Sequence, residues 1–163
     1  MSAAQARIIP AGEQDVPLIL EMIHALAEYE RLSHEVVATE EMLRESLFGP
    51  KPAAEVVFAY DGQECVGFAV YFSTYSTFLA QSGIYLEDLY VKPEARGKGM
   101  GFALLRHLAK VAKSRNCGRL EWSVLNWNEP SIQFYKKLGA VPMDEWTKYQ
   151  LAGEALGRLT EED

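Results

Sequence analysis

"YVKPEARGKGMGFALL", residues 90–105, sets three glycines within five positions, Gly97, Gly99 and Gly101, flanked by Arg96 and Lys98. Before it, "SGIYLEDLYV" (82–91) is rich in β-formers and reads as a strand that Pro93 stops. After it, residues 99–115 read as a helix. Leu104, Leu105, Leu108, Val111 and Ala112 make its core face, while Arg106, Lys110 and Lys113 face out. Strand, glycine turn, helix is a geometry that suits phosphate. Glycines let the backbone approach a ligand at angles closed to other residues. The first-turn N–H groups lack helical partners, and the helix dipole favours an anion there. A bare helix start with a solvated basic pair would contain the same residues, so spacing must decide. No stretch fits the P-loop pattern G-x-x-x-x-G-K-S/T. The dinucleotide fingerprint needs Gly or Ala at its sixth position, which is Phe102 counted from Gly97 and Leu104 counted from Gly99. Glu121 lies about 20 residues on, where a ribose-binding acid is expected, but near the start of its strand. What remains is Arg96-x-x-Gly99-x-Gly101.

Outward from this turn, the chain alternates short elements. "ARIIPA" (6–11) reads as a first strand. Asp15 is the candidate cap of a helix running to about Arg31, with Val16, Ile19, Leu20, Ile23, Leu26 and Ala27 on its apolar face. "TEEMLRESLF" (39–48) is a second helix capped by Thr39, and "GPKPA" (49–53) breaks the chain. "EVVFAYD" (55–61) and "ECVGFAVYFSTYS" (64–76) are strands joined at Asp61-Gly62, a strong hairpin signal. "RLEWSVL" (119–125) is a further strand and "NEPSIQFYKKLG" (128–139) a helix, with Asn128 near its cap, Pro130 in its first turn and Gly139 at its stop. "EWTKYQL" (145–151) reads as a last strand, and the stretch from Ala152 as a loosely held polar tail. The hairpin implies antiparallel pairing, and the strand–helix units after residue 84 imply a parallel pair with a right-handed crossover.

Composition narrows the function classes. At 163 residues the chain suits one domain, 1–163. Its net charge of −7 argues against nucleic acid, whose partners are basic, and suits a small cationic ligand. No apolar run is long enough to span a bilayer, and "MSAAQARIIPAGEQD" lacks a signal-peptide core. A cytoplasmic protein with no membrane partner is therefore expected. Cys65 and Cys117 read as free thiols. The three histidines are scattered, so no metal is expected.

Arg96-x-x-Gly99-x-Gly101 resembles the acetyl-coenzyme A signature of the GNAT superfamily of N-acetyltransferases, and the element order is similar to theirs across nearly the whole chain. "YLEDLYVKPEARGKGMG", "WNEPSIQFYKKLGA" and "LAEYERL" (26–32) resemble the diamine and polyamine group, the spermidine/spermine N1-acetyltransferases. The resemblance implies a mixed α/β fold: a mostly antiparallel sheet of six to seven strands, a splayed parallel pair and four flanking helices. Acetyl-coenzyme A would be co-substrate, a primary amine the acceptor, and a homodimer the assembly.

By the same resemblance, the pantetheine arm would lie along Leu89, Tyr90 and Val91 like a partial strand, with a backbone N–H near Leu89 facing the oxyanion. Arg96, Gly97, Lys98, Gly99, Met100, Gly101 and Phe102 would hold the pyrophosphate, and Asn128, Pro130, Ser131 and Tyr135 would also contact the coenzyme. An amine with a pKa near 10.4 is almost all protonated at pH 7, and holding it neutral costs about 4–5 kcal/mol. Glu87 is the candidate to order a water or hold the ammonium, ranked ahead of its neighbour Asp88. Tyr135 is the candidate acid for the leaving thiolate. Tyr29, Glu30, Glu87, Glu121, Trp122 and Ser123 would select the acceptor. "STYSTFLAQSG" (73–83) departs from the group's loop, which leaves open a diamine, a polyamine or a lysine analogue. Protein lysine or N-terminal acetylation, and a catalytically silent coenzyme-A-binding module, are the rival readings.

Overall fold

The computed structural model describes residues 6–161. The first five residues of the stretch read for a signal core, and the last two of the tail, lie outside the described residues. The chain forms two compact units, Met1–Leu125 and Asn126–Asp163.

The first unit is built on one five-stranded sheet in chain order: β1 (Ala6–Pro10), β2 (Glu55–Asp61), β3 (Glu64–Ser76), β4 (Gln81–Val91) and β5 (Leu120–Trp122). The first three pairings are antiparallel, while β4 and β5 run parallel. Asp61 pairs with Glu64, so the expected tight turn carries Gly62, at φ +63°. Three helices belong to this unit: α1 (Val16–Tyr29), α2 (Glu40–Phe48) and α3 (Met100–Ser114). Thr39 Oγ1 accepts from the Met42 N–H at 3.2 Å and caps α2 as its sequence implies. Asp15 does not cap α1. A 3-10 turn (Glu13–Asp15) leads straight into that helix, and the Asp15 carboxylate accepts from the Gly12 N–H at 2.8 Å instead.

Strand alternation divides the core. Ile19, Met22 and Leu26 of α1 bury against Val56, Phe58, Phe68, Val70 and Tyr90 on one sheet face. Met100, Leu104, Leu105 and Leu108 of α3 are buried too, with Val57, Ala59, Ala69, Ile84 and Leu86 from the alternate strand positions. At the far end of α3, Arg115 grips Glu55 of β2 through two hydrogen bonds of 2.7 and 2.8 Å.

The second unit holds α4 (Glu129–Lys137) and α5 (Gly153–Leu159). Asn128 Oδ1 accepts from the Ser131 N–H at 3.5 Å at the start of α4, and Pro130 sits in its first turn. Gly139, at φ +88°, ends it: its N–H bonds to Lys136 O and that of Ala140 to Tyr135 O, a Schellman stop.

Element counts differ from the expected six to seven strands and four helices. "EWTKYQL" (145–151) forms no strand. Trp146 and Tyr149 are 78% and 92% exposed, and a β-former becomes a strand only against a partner ladder. The fifth helix, α5, begins at Gly153, at φ +57°, and carries an i,i+4 pair of Glu154 and Arg158 at 3.7 Å. The fold class itself, a mixed α/β sheet with one parallel pair, is as expected.

Candidate active site

β4 and β5 stay together for only three residue pairs, Ile84–Leu120, Tyr85–Glu121 and Leu86–Trp122. β5 then ends, while β4 runs on to Val91. Among the described residues, no strand pairs with Glu87–Val91 on that side. Lys92 donates its N–H to Val66 O of β3 at 2.8 Å. Alternation from that bond turns the N–H and C=O groups of Leu89 and Val91 toward the open edge. Leu89 and Val91 are half-buried and Tyr90 is buried, its side chain held in the α1-facing core.

The glycine turn meets this edge. Gly97 and Gly99 sit at φ +76° and +83°, a region other residues enter only with strain. The first helical bond of α3 is from the Ala103 N–H to Gly99 O, so the amides of Met100, Gly101 and Phe102 begin the helix without intrahelical acceptors. A methyl on Gly101 would reach Val91 Cγ2 at 3.9 Å, which brings that amide close to the end of the open edge. Lys98 is half-buried and Phe102 is exposed. Arg96 Nε donates to Val91 O at 2.9 Å, and its guanidinium lies over the rings of Tyr29 (4.7 Å) and Tyr90 (5.6 Å). Arg96 thus ties the turn to both β4 and α1. Positive-φ glycines, unpaired amides and an unpaired strand edge are features that fit a pyrophosphate on an amide-bearing arm.

A β-bulge shapes the other side. Val70 pairs with Asp88 and Tyr71 with Leu86, so Glu87 is an extra residue on β4. Sequence alone could not reveal it, because a bulge is a mismatch between two strands. Glu87 is exposed, whereas Asp88 is carried beside Val70 on the α1 face. Burial first, then the charges of Glu87 and Glu30, push the Asp88 carboxyl up to about 6. Burial also raises Glu30, at the end of α1. The structure therefore gathers Glu30, Glu87 and Asp88 into one electrostatic group, and Asp88 is its most perturbed member.

On the same face, Tyr85 stacks on Phe72 with ring centroids 5.3 Å apart, and its hydroxyl hydrogen-bonds Ser123 Oγ at 2.8 Å. Glu121 stands opposite Tyr85 and pairs with Arg119 at 3.8 Å, while Trp122 is half-buried. In the second unit, Asn128 is buried, Ser131 and Tyr135 are half-buried and Pro130 is exposed. The Tyr135 ring lies 5.7 Å from that of Phe134.

Comparison with known proteins identifies the family. Residues 21–140 match the acetyltransferase (GNAT) family. The chain is 38% identical to the thialysine N-epsilon-acetyltransferase of Mus musculus, over 96% of this chain and 98% of that one. It is 33% identical to the L-ornithine N5-acetyltransferase NATA1 of Arabidopsis thaliana, over 93% of this chain and 86% of the relative. Among solved structures, an integron cassette protein from V. cholerae superimposes with a TM-score of 0.81 at 28% identity, covering 97% of this chain and 99% of its own. A family match over most of the chain, and relatives aligned along nearly all of it, make this protein a member of the GNAT acetyltransferase family, an acyltransferase with acetyl-coenzyme A as co-substrate.

Proposed function

We propose that the enzyme acetylates a primary amine of a small cationic acceptor, a diamine, polyamine or lysine analogue, by direct attack in a ternary complex. The observation that carries this reading is the carboxyl group of Glu30, Glu87 and Asp88 at the β4 bulge, next to the open edge of that strand. Such a group attracts an ammonium and can take its proton. The names of the mouse and Arabidopsis relatives, which act on thialysine and ornithine, support a small amine acceptor.

In this reading the turn from Arg96 to Phe102 holds the pyrophosphate, with Gly97, Gly99 and Gly101 giving backbone access and Lys98 adding charge. The pantetheine arm lies along Leu89–Val91, and the Leu89 N–H stabilises the oxyanion. Asn128, Pro130 and Ser131 contribute coenzyme contacts from the start of α4. The acceptor is held as an ammonium by Glu30, Glu87 and Asp88, with Tyr29, Glu121, Trp122 and Ser123 around it. Asp88, at about 6, is a stronger base than an ordinary carboxylate and takes the proton directly or through water. The amine nitrogen then bonds to the acetyl carbon, the C–S bond breaks, and Tyr135 gives its phenolic proton to the departing thiolate. The Tyr135 assignment rests on its place in the "QFYKKLG" motif.

The family match crosses the boundary between the two units, which supports one catalytic domain spanning both. Exposed Val141, Met143, Trp146 and Tyr149 support a homodimer in which this segment is covered. Free Cys65 and Cys117 support a reducing, cytoplasmic setting. The experiment that tests the reaction is coenzyme A release with diamines, polyamines, lysine analogues and lysine peptides. Turnover confined to the small amines is expected. Preference for peptides, or tight acetyl-coenzyme A binding with no turnover, would overturn the reading.

A further inference from the structure

Arg119 is a cation on the acceptor side that the acidic reading leaves unused. It directly precedes β5, and its carbonyl accepts from the Ile84 N–H at 2.9 Å, so it continues the parallel ladder. Residues 119, 121 and 123 alternate onto one face. Contacts confirm that placement: Arg119 Nε lies 3.8 Å from Glu121 Oε1, Glu121 stands opposite Tyr85, and Ser123 Oγ bonds the Tyr85 hydroxyl at 2.8 Å. Tyr85 in turn shares its face with Asp88, because the extra Glu87 shifts the alternation by one. A line of side chains therefore runs along the strands from Arg119 and Glu121, past Tyr85 with Ser123, to Asp88.

The chemistry of that line is not uniform. One end gathers three carboxyl groups, Asp88, Glu87 and Glu30. The other end presents one cation and one anion side by side. A diamine or polyamine offers only ammonium groups, and its second charge would meet the Arg119 guanidinium. An α-amino acid with an amine on its side chain offers an ammonium at one end and a carboxylate–ammonium pair at the other. The Arg119–Glu121 pair is about half exposed, with Arg119 Nε 3.8 Å from Glu121 Oε1. Such a pair adds little stability, so exchanging partners for a ligand is inexpensive. A guanidinium also matches a carboxylate as a fork. The stacked rings of Tyr85 and Phe72 give the acceptor's methylenes an apolar surface between the two ends. Tyr85 to Asp88 spans about 10 Å of strand, less what the bulge takes up, and the long Arg119 and Glu121 side chains at the Tyr85 end can reach along it toward the stem of a lysine-like amine.

We infer that Arg119 and Glu121 read the α-carboxylate and α-ammonium of an amino acid acceptor whose side-chain amine is acetylated beside Asp88. The inference rests on the small-amine reading above and narrows its substrate class to amino acids. Three acceptors test it: L-lysine, cadaverine, which lacks only the carboxylate, and Nα-acetyl-L-lysine, which masks the α-ammonium. The wild-type enzyme is expected to favour lysine over both, by kcat/KM. Arg119→Gln is expected to lower the lysine-to-cadaverine ratio by about tenfold or more. Glu121→Gln is expected to lower the lysine-to-Nα-acetyllysine ratio. If Arg119→Gln does not accumulate, Arg119→Lys keeps the charge, loses the fork and shows a smaller fall in the same ratio. Ratios unmoved by these substitutions, with the wild type active, overturn the Arg119–Glu121 assignment and leave the small-amine reading standing. A wild type that acetylates none of the three but does acetylate peptides overturns both.

Discussion

Tyr85 and Asp88 face the same side of the sheet although three residues separate them on one strand. Regular alternation would place them on opposite faces. Glu87, the unmatched residue between the Leu86–Tyr71 and Asp88–Val70 pairs, makes the difference. It moves a carboxyl from the α3 side of the sheet to the α1 side, next to Glu30.

The first prediction concerns that carboxyl. In the wild type, log kcat/KM should rise with pH through an acid limb near 6, where Asp88 loses its proton. Asp88→Asn should lose this limb and about 10²-fold in kcat/KM. The same substitution should stabilise the fold at neutral pH. The folded pKa of Asp88 lies above its unfolded value, so its contribution is fully present below about 4 and is lost as pH rises through about 6. Urea unfolding at pH 7.5 should show a gain of about 2 kcal/mol for Asp88→Asn, shrinking as the pH is lowered. Unchanged stability at both pH values would contradict the burial of this charge.

Tyr135→Phe removes one hydroxyl and keeps the ring beside Phe134. If the phenol protonates the thiolate, kcat should fall about 10²-fold while KM for acetyl-coenzyme A stays nearly constant. Steady-state kinetics at saturating acceptor decide the matter. Full kcat would remove Tyr135 from the reaction.

Gly99→Ala and Gly139→Ala form a matched pair. Both glycines hold positive φ, at +83° and +88°, so each substitution should cost about 1–2 kcal/mol of strain. Only Gly99 lies in the proposed pyrophosphate turn. Gly99→Ala should therefore raise KM for acetyl-coenzyme A several-fold, whereas Gly139→Ala should not. Equal KM values for the two variants would argue against the turn as donor site.

The Glu55–Arg115 pair tests a structural link away from the chemistry. The Arg115 hydrogen bonds hold the Glu55 carboxyl below its usual range. Because the folded pKa is depressed, this contribution is present above about 4.5 and is lost as pH falls through the folded value. Both side chains are more than two-fifths exposed, so solvent screening keeps the coupling below about 1 kcal/mol. A double-mutant cycle with Glu55→Gln and Arg115→Gln at pH 7 and at pH 4 should show that small coupling shrink at the lower pH.

Much of the fold is written in local signals. The bounds of β2 and β3 and the turn at Asp61-Gly62 follow from alternation and hairpin chemistry. The start of α2 follows from Thr39. "EWTKYQL" misleads because its propensity is local while pairing is not; Trp146 and Tyr149 find no ladder. Met22 of α1, fully buried, is absent from the apolar stripe read in the sequence, which names Leu20 and Ile23 instead. At the site, the glycine turn is legible from spacing, since positive φ leaves few residues to choose from. The burial of Asp88 beside Val70, with Glu87 left exposed, is not legible, because a bulge exists only in the register of two strands. The placement of Arg119 is not legible for a related reason. Its relation to Glu121 and Tyr85 becomes visible only once β5 lies beside β4.

The short reach of β5 has a further consequence. The run of β4 beyond Leu86, which no strand pairs on that side among the described residues, is also a template on which another chain can add itself as a strand. The opening proposed to admit the thioester therefore exposes the enzyme to aggregation through that edge. A donor lying along it would act as a removable guard strand. Light scattering during mild heating should rise later when acetyl-coenzyme A or coenzyme A is added, and ligand levels in a cell would then govern how long the enzyme stays soluble as well as how fast it works.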